Sequence, residues 1–188
     1  ILHDAFAHEA GLNYWLRQGA RKEPARRRFF DAAVRQGVHP KRELWLAEAE
    51  GEALGAAIWL EPGRKAYDFT MLQQLAMAPL LWSIAGVSGA LRGMKLGEQL
   101  DALHPHAPHA HLVFLGVAGA AQGRGIGSAM LKTTLARLDA AGVAGLLEAT
   151  TERNIALYQR HGFETVEHLR ARDVHVRIMW RAARSTTS

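Results

Sequence analysis

Gln122, Gly123, Arg124, Gly125, Ile126, Gly127 and Ser128 form a glycine-rich run between two very different segments. Before it lies an apolar stretch, Leu112, Val113, Phe114, Leu115 and Val117, ending in small residues. After it, Ile126, Met130, Leu131, Leu135 and Leu138 recur at helical spacing. This is the pattern of strand, tight turn and helix. Glycines in such a turn let the backbone approach a ligand, because no Cβ intervenes. The helix that follows offers unpaired N–H groups and the positive end of its dipole, which suit a phosphate or pyrophosphate. The spacing therefore predicts an anion site.

Three readings of that site compete. A P-loop requires a Gly-Lys pair that no register of this stretch supplies. The dinucleotide fingerprint fits at Gly123 and Gly125, but Ser128 stands where its third Gly or Ala belongs. Glu148 closes the next strand at the distance expected for a ribose-binding acid, yet too little chain follows for a doubly wound sheet. A purely structural turn is the third reading.

Gln122 to Gly127 also matches the Gln/Arg-x-x-Gly-x-Gly/Ala motif, and the chain resembles the GNAT superfamily of acetyl-CoA-dependent N-acetyltransferases through it. A second block, LLEATTERNIALYQRHGF from Leu146 to Phe163, is similar to that family's strand, loop, Asn…Tyr…Gly-Phe helix and return strand. The nearest likeness is to the puromycin N-acetyltransferase-like branch. It spans about His111 to Arg170, weakens over Leu44 to Leu60 and carries no motif elsewhere. Ala118-Gly119-Ala120-Ala121 departs from it by lacking the acidic pair often found before the Gln.

The resemblance implies a division of labour. Backbone groups of Leu115, Gly116 and Val117, on a strand from His111 to Val117, would pair with pantetheine, with the Val117 N–H as oxyanion donor. Gln122, Gly123, Arg124, Gly125, Ile126, Gly127 and Ser128 would wrap the pyrophosphate. Asn154 would cap a helix from Ile155 to His161, ended by Gly162, and contact the cofactor. Tyr158 would hand its phenol proton to the coenzyme A sulfur and touch the cofactor. The bland alternative is a tyrosine packed on Ile155. His161 is a competing acid or base, although the last helical turn favours a surface role. Glu148 ends the strand Gly145 to Ala149; apolar neighbours would raise its pKa and suit a general base. A structural hydrogen bond is its other reading.

The remaining elements must position these groups. Leu2, Phe6, Leu12, Trp15 and Leu16 predict an opening helix; the family usually places a strand before it, so a first strand is expected to be absent from the N-terminus. A second helix is expected from Pro24 to about Gln36, closed by Gly37. Glu43 to Glu50 and Glu52 to Leu60 predict a hairpin about Gly51, the second arm more buried. Leu75 to Leu91 is uncharged and at the lower edge of transmembrane length, but Pro79, Gly86, Ser88 and Gly89 interrupt it. It is expected to form one or two buried or pocket-lining helices. Part of the longer stretch from Tyr67 to Leu96, which carries Tyr67, Phe69, Met71, Met77 and Trp82 and adjoins Trp59 of the hairpin, would wall an apolar acceptor pocket, with pure core as the other reading. The histidines of HPHAPHAH, His104, His106, His109 and His111, fit a linker better than a metal site.

Composition sets outer bounds. At 188 residues and 48% hydrophobic content, one domain over 1–188 with a full core is expected. There is no cysteine, hence no thiol nucleophile and no disulfide framework. The net charge of +5 suits a polyanionic nucleotide as well as nucleic acid, and no aromatic-interleaved basic stripe or zinc-finger spacing supports the latter. The sequence thus predicts an α/β fold: a mixed, mostly antiparallel sheet with a splayed parallel central strand pair and helices on both faces. The implied activity is acetyl transfer from acetyl-CoA, as cosubstrate, to a small-molecule primary amine with an apolar or aromatic part. No metal, nucleic acid or membrane is expected, a cytoplasmic setting is, and a homodimer is left open. A non-catalytic acyl-CoA-binding or sensing module on the same fold is the alternative.

Overall fold

The computed structural model describes residues 1–35, 42–64 and 70–184. Two short helices open it, α1 (Leu2–Ala5) and α2 (Ala10–Trp15), followed by a 3-10 turn at Gly19–Arg21 and α3 (Lys22–Arg35). The hairpin β1 (Arg42–Ala49) and β2 (Glu52–Leu60) comes next, then α4 (Met71–Ile84) and α5 (Gly86–Leu103). The second half runs β3 (His109–Val117), α6 (Ile126–Ala140), β4 (Ala144–Ala149), α7 (Glu152–Arg160), β5 (Glu164–Ala171) and β6 (Val174–Arg181). The strands form one sheet in the order β1-β2-β3-β4-β6-β5, with β3–β4 its parallel pair and the other pairings antiparallel.

The middle of that sheet opens. β3 and β4 pair only from His109 with Ala144 to Leu112 with Leu147. Beyond Leu112, β3 pairs with β2 alone, through Ala57–Leu115, Ala56–Gly116 and Gly55–Val117. At the point of parting, Ile58 faces Phe114 while Trp59 faces Leu112, so Val113 is an extra residue in β3. A bulge of this kind bends its strand and increases the local twist. It also puts Leu112 into the core under α6 and Phe114 into the core under the N-terminal helices. There Phe114 meets Phe6, Phe29 and Phe30 edge-on, at ring distances of 5.3, 5.7 and 5.1 Å.

The opening helical pattern is two helices, not one. Glu9 breaks it, because its carboxylate caps α2 by accepting from the N–H groups of Gly11 and Leu12 (2.8 and 2.5 Å). The predicted second helix starts earlier, at Lys22; its expected end at Gln36 and Gly37 lies outside the described residues. The apolar segment makes two helices as expected, but they are buried on one side only, where Ile84 joins the core under the N-terminal helices. Met71, Leu72, Leu75, Trp82, Leu91 and Met94 are each at least 60% exposed. No single described helix is long and apolar enough to cross a membrane; α4 and α5 pass only jointly, bent by 116°. Arg17 fixes the bend, its backbone N–H donating to Ile84 O and its guanidinium to Ser83 O and Trp82 O. It thereby satisfies carbonyls that a helix end leaves unpaired.

Close approach sets how α2 meets α5. A Cβ at Gly89 would lie 2.2 Å from Trp15 O, and one at Gly93 3.2 Å from the Trp15 ring. On the opposite side of the sheet, Arg181 is 4% exposed and forms a two-pronged pair with Asp139 (2.6 and 2.7 Å), while its Nε donates to His161 O (3.1 Å). One guanidinium thus joins the ends of α6 and α7 to β6. Hydrogen bonding to Arg181 lowers the Asp139 pKa below its usual value, against the opposing effect of burial. A depressed carboxyl pKa contributes stability above the unfolded value, and that stability is lost as pH falls through the folded one. Asp139→Asn should therefore cost roughly 3 kcal/mol at neutral pH. In urea titrations the gap from wild type should narrow below about pH 4; a gap independent of pH would show that the pair does not stabilise through charge.

Candidate active site

The glycine run occupies the position its sequence pattern predicts. After β3, a 3-10 turn at Gly119–Ala121 leads into Gln122 to Gly125, and α6 starts at Ile126. Gly123 and Gly125 have φ of +78° and +81°, in the left-handed region that favours glycine, and face open space where a Cβ would stand. Gln122 through Gly125 are exposed, and Gly125 serves as the N-cap of α6. The first-turn N–H groups of Ile126, Gly127 and Ser128 have no partner within the helix. The loop fits a diphosphate: an exposed backbone cradle, no side chain filling it, and a long helix behind.

The edge of β3 beside it offers its N–H groups, while the Val117 carbonyl accepts from the Gln122 side-chain amide (3.3 Å). The Ala118 N–H donates to Leu54 O on the β2 side (2.8 Å), and strand backbone alternates. The N–H groups of Val117 and Leu115 therefore face away from β2, toward the gap beside β4. Gly116 does not; its carbonyl lies beside Gly55, and a Cβ there would strike Ala5 and Leu2 (2.9 and 3.0 Å). Of the three backbone candidates, two offer groups to the gap, and the third lets α1 cross β3.

Across the gap stands α7. Its N-cap is Thr151, whose hydroxyl accepts from the Asn154 N–H (3.3 Å), so Asn154 is not the cap. Asn154 sits in the exposed first turn and lines the cavity described below. The far end explains the Gly162-Phe163 pair. Phe163 N–H bonds to Tyr158 O (3.1 Å) and Gly162 N–H to Gln159 O (3.0 Å), with Gly162 at φ +86°. That is a Schellman cap, completed by the Phe163 ring against the Tyr158 ring at 6.1 Å. The cap fixes Tyr158 at the gap. His161 is not a free surface group, since its Nε2 lies 2.7 Å from Ser128 Oγ and ties α7 to the first turns of α6.

Glu148 takes the second of its two sequence readings, a hydrogen-bonded carboxylate, and departs from the first in its pKa. His104 Nε2 is 2.7 Å from one carboxyl oxygen and His111 Nε2 2.6 Å from the other. Burial pushes its pKa up, but the His111 charge and the hydrogen bonds of both imidazoles outweigh it, leaving the carboxyl well below its usual range. The raised pKa expected from apolar neighbours is reversed in sign by the two histidines. Tyr158 goes the other way. Burial, helped by the charges of Glu148 and Glu9, raises its phenol pKa, so it stays protonated at any working pH.

These groups surround a cavity of about 140 Å³. Glu9, Asp101, His104, His111, Glu148 and Tyr158 supply its polar wall, and Leu12, Trp15, Leu96, Leu100 and Phe114 much of the apolar one. The acceptor pocket foreseen from the apolar segment is drawn differently. Met71 and Trp82 point to solvent, Met77 packs on the N-terminal core, and Tyr67 and Phe69 lie outside the described residues. Trp59 is buried on the other face, in a larger space of about 300 Å³ with Trp45 and Arg137, whose guanidinium is already paired with Glu43. Only the C-terminal half of α5 reaches the Tyr158 cavity. Glu9, Asp101, His104, His111 and Thr150, which donates to Glu9 (2.7 Å), went unassigned in the sequence. The histidine tract was the available signal; its partner lies far along the chain. Among the described residues no group of three or more His, Asp or Glu could hold a metal ion.

Residues 10–163 match the profile of the Acetyltransferase (GNAT) family. A Corynebacterium glutamicum structure, described as histone acetyltransferase HPA2 and related acetyltransferase, is 27% identical, covering all of this chain and 92% of that one, with a TM-score of 0.73. The ribosomal-protein-S18-alanine N-acetyltransferase of Escherichia coli is 15% identical over 99% of this chain and 90% of that one, TM-score 0.51. An N-acetyltransferase from Staphylococcus aureus is also 15% identical, over 72% and 67%, with the same TM-score. The last two likenesses concern the fold alone.

The clamp on Glu148 is directly measurable. A carboxyl pKa lowered in the fold adds stability above the ordinary range, lost as pH falls through the folded value. Carbon-detected titration of Glu-labelled protein should show no Glu148 inflection between about pH 4 and 5. An inflection there, or above, would mean that the two imidazoles do not hold it.

Proposed function

The chain belongs to the Acetyltransferase (GNAT) family, and from that premise we propose that it moves an acetyl group from acetyl-CoA to the primary amine of a small acceptor with an apolar or aromatic part. The observation that carries this reading is the opening between β3 and β4, bordered by the glycine loop, the free N–H of Val117 and the Tyr158 phenol. The puromycin N-acetyltransferase-like branch is our placement within the family, supported by the two sequence blocks. The donor supplies a thioester carbonyl open to attack by an amine.

The roles of the chain's own residues follow from geometry. First-turn N–H groups of α6, with Gly123 and Gly125, hold the diphosphate. The β3 edge pairs with an extended chain, and the Val117 N–H stabilises charge on the carbonyl oxygen. Tyr158 keeps a proton where sulfur must depart. With its pKa raised, the phenol does not ionise by itself; it passes its proton on only as another replaces it. The carboxylates of Glu9, Asp101 and Glu148 favour a cationic amine in the cavity, and Leu12, Trp15, Leu96 and Leu100 favour an apolar body attached to it.

Tyr158→Phe should lower kcat about 10- to 1000-fold while acetyl-CoA affinity persists. Gly125→Asp, with its Cβ in left-handed backbone and its charge beside the diphosphate, should instead weaken acetyl-CoA binding in calorimetry. Thiol release would be followed across aromatic amines, aminoacyl compounds and basic peptides. Full turnover by Tyr158→Phe would return that residue to packing. Binding of acetyl-CoA without thiol release from any amine would favour the non-catalytic module.

A further inference from the structure

We propose that the acceptor's ammonium proton is received by the imidazoles of His104 and His111, which the Glu148 carboxylate bridges and holds in the proton-accepting tautomer. This inference rests on the acetyltransferase reading of the same site. It assigns the base role to two residues of the histidine tract that the sequence reads as a linker, and makes Glu148 a positioning residue.

An ionised carboxylate can only accept. To bond both of its oxygens, at 2.7 and 2.6 Å, each imidazole must present Nε2–H. The imidazolium and one neutral tautomer both do so; the neutral one carries its lone pair on Nδ1 and is the form that can take a proton. The His111 Nδ1 has no hydrogen-bond partner among the described residues, and the His104 Nδ1 lies 3.8 Å from Asp101 Oδ1. The two rings are 5.3 Å apart and nearly perpendicular. Both line the cavity. Other titratable groups face them from every side: Asp101 on α5, Glu9 before α2, Tyr158 on α7, and His109, whose ring is 6.2 Å from that of His104. The lining carries three carboxylates and neither Lys nor Arg, so it draws in the cationic form of an amine. Glu148 alone is the weaker candidate, because both of its oxygens are already occupied.

The step balances. The acceptor nitrogen begins with three protons and ends, in the amide, with one. The first goes to an imidazole, giving an imidazolium against the Glu148 carboxylate. The freed lone pair forms the C–N bond as the C–S bond breaks and sulfur leaves with its electron pair. Sulfur becomes a thiol with the Tyr158 phenol proton, and the second nitrogen proton restores the phenol. The imidazolium proton then passes to water, so one proton is released per turnover.

The test uses the full chain with acetyl-CoA and phenethylamine, alongside imidazole nitrogen spectra of the ligand-free protein. In wild type both rings should show the Nε2–H tautomer, and Glu148→Gln should lose that uniform state. His104→Gln and His111→Gln should each lower kcat/KM, by about 100-fold for the more effective base, and alter or remove its acid limb, with acetyl-CoA affinity unchanged. Should His111→Gln fail to fold, His104→Gln and the wild-type tautomers decide. An unchanged acid limb in a folded His104→Gln and His111→Gln pair, or wild-type rings in the Nδ1–H tautomer, would overturn the inference while leaving the acetyltransferase reading intact. Wild-type protein that releases no thiol with any amine would overturn both.

Discussion

Two parallel strands that pair for four residues and then part are the constraint around which the rest of this molecule is arranged. Parting strands leaves backbone N–H and C=O groups without a ladder partner, which is costly unless something else meets them. Here the divergence is imposed on β3 from its other side. One extra residue at Val113 changes the strand's course, and the ring of Phe114 is then held by three other aromatic rings beneath the N-terminal helices. β4 cannot follow, because its pairing with β6 runs straight through to Ala149. The gap is thus the difference between two strands that each obey a different neighbour.

What borders the gap is fixed by short, specific bonds, more than by bulk packing. Tyr158 is placed by a cap at the end of α7, and that end is held by the Arg181 guanidinium and by Ser128 of α6. Gly145 belongs to the same arrangement, since a Cβ on it would stand 3.2 Å from the Phe163 ring. The opposite wall depends on a partly buried carboxylate whose two oxygens are both bonded. Burying an unpaired carboxylate is expensive, and pairing it with two imidazoles offsets that cost.

Much of this was legible in the chain because it is local. The strand, turn and helix around Gln122 to Ser128 are written in contiguous residues, as are the hairpin and the Tyr158 helix with its Gly162 stop. Features that depend on distant residues were not legible. Glu148 looked like an acid among apolar neighbours, since nothing near it in sequence announces that His104 and His111 will reach it. Asn154 looked like a cap because cap propensity is real, but Thr151 has the extended backbone that the position needs. The apolar segment looked buried on composition, yet α4 buries only the stripe of Met77, Leu80, Leu81 and Ile84 and leaves its other apolar residues to solvent. Its contribution to the cavity comes from α5, through Leu96 and Leu100.

The way α2 lies on α5 has a consequence for how this cavity could diversify. Its ceiling height is set by missing atoms: no side chain at Gly89 or Gly93 holds the Trp15 backbone away. The dimension is therefore digital, because the smallest change available at Gly89 inserts a methyl group where there is room for none. Width is graded instead, since Leu12, Leu96 and Leu100 line the same cavity with side chains that can be shortened one carbon at a time. A lineage carrying this fold would explore ligand girth gradually and ligand thickness only by jumps.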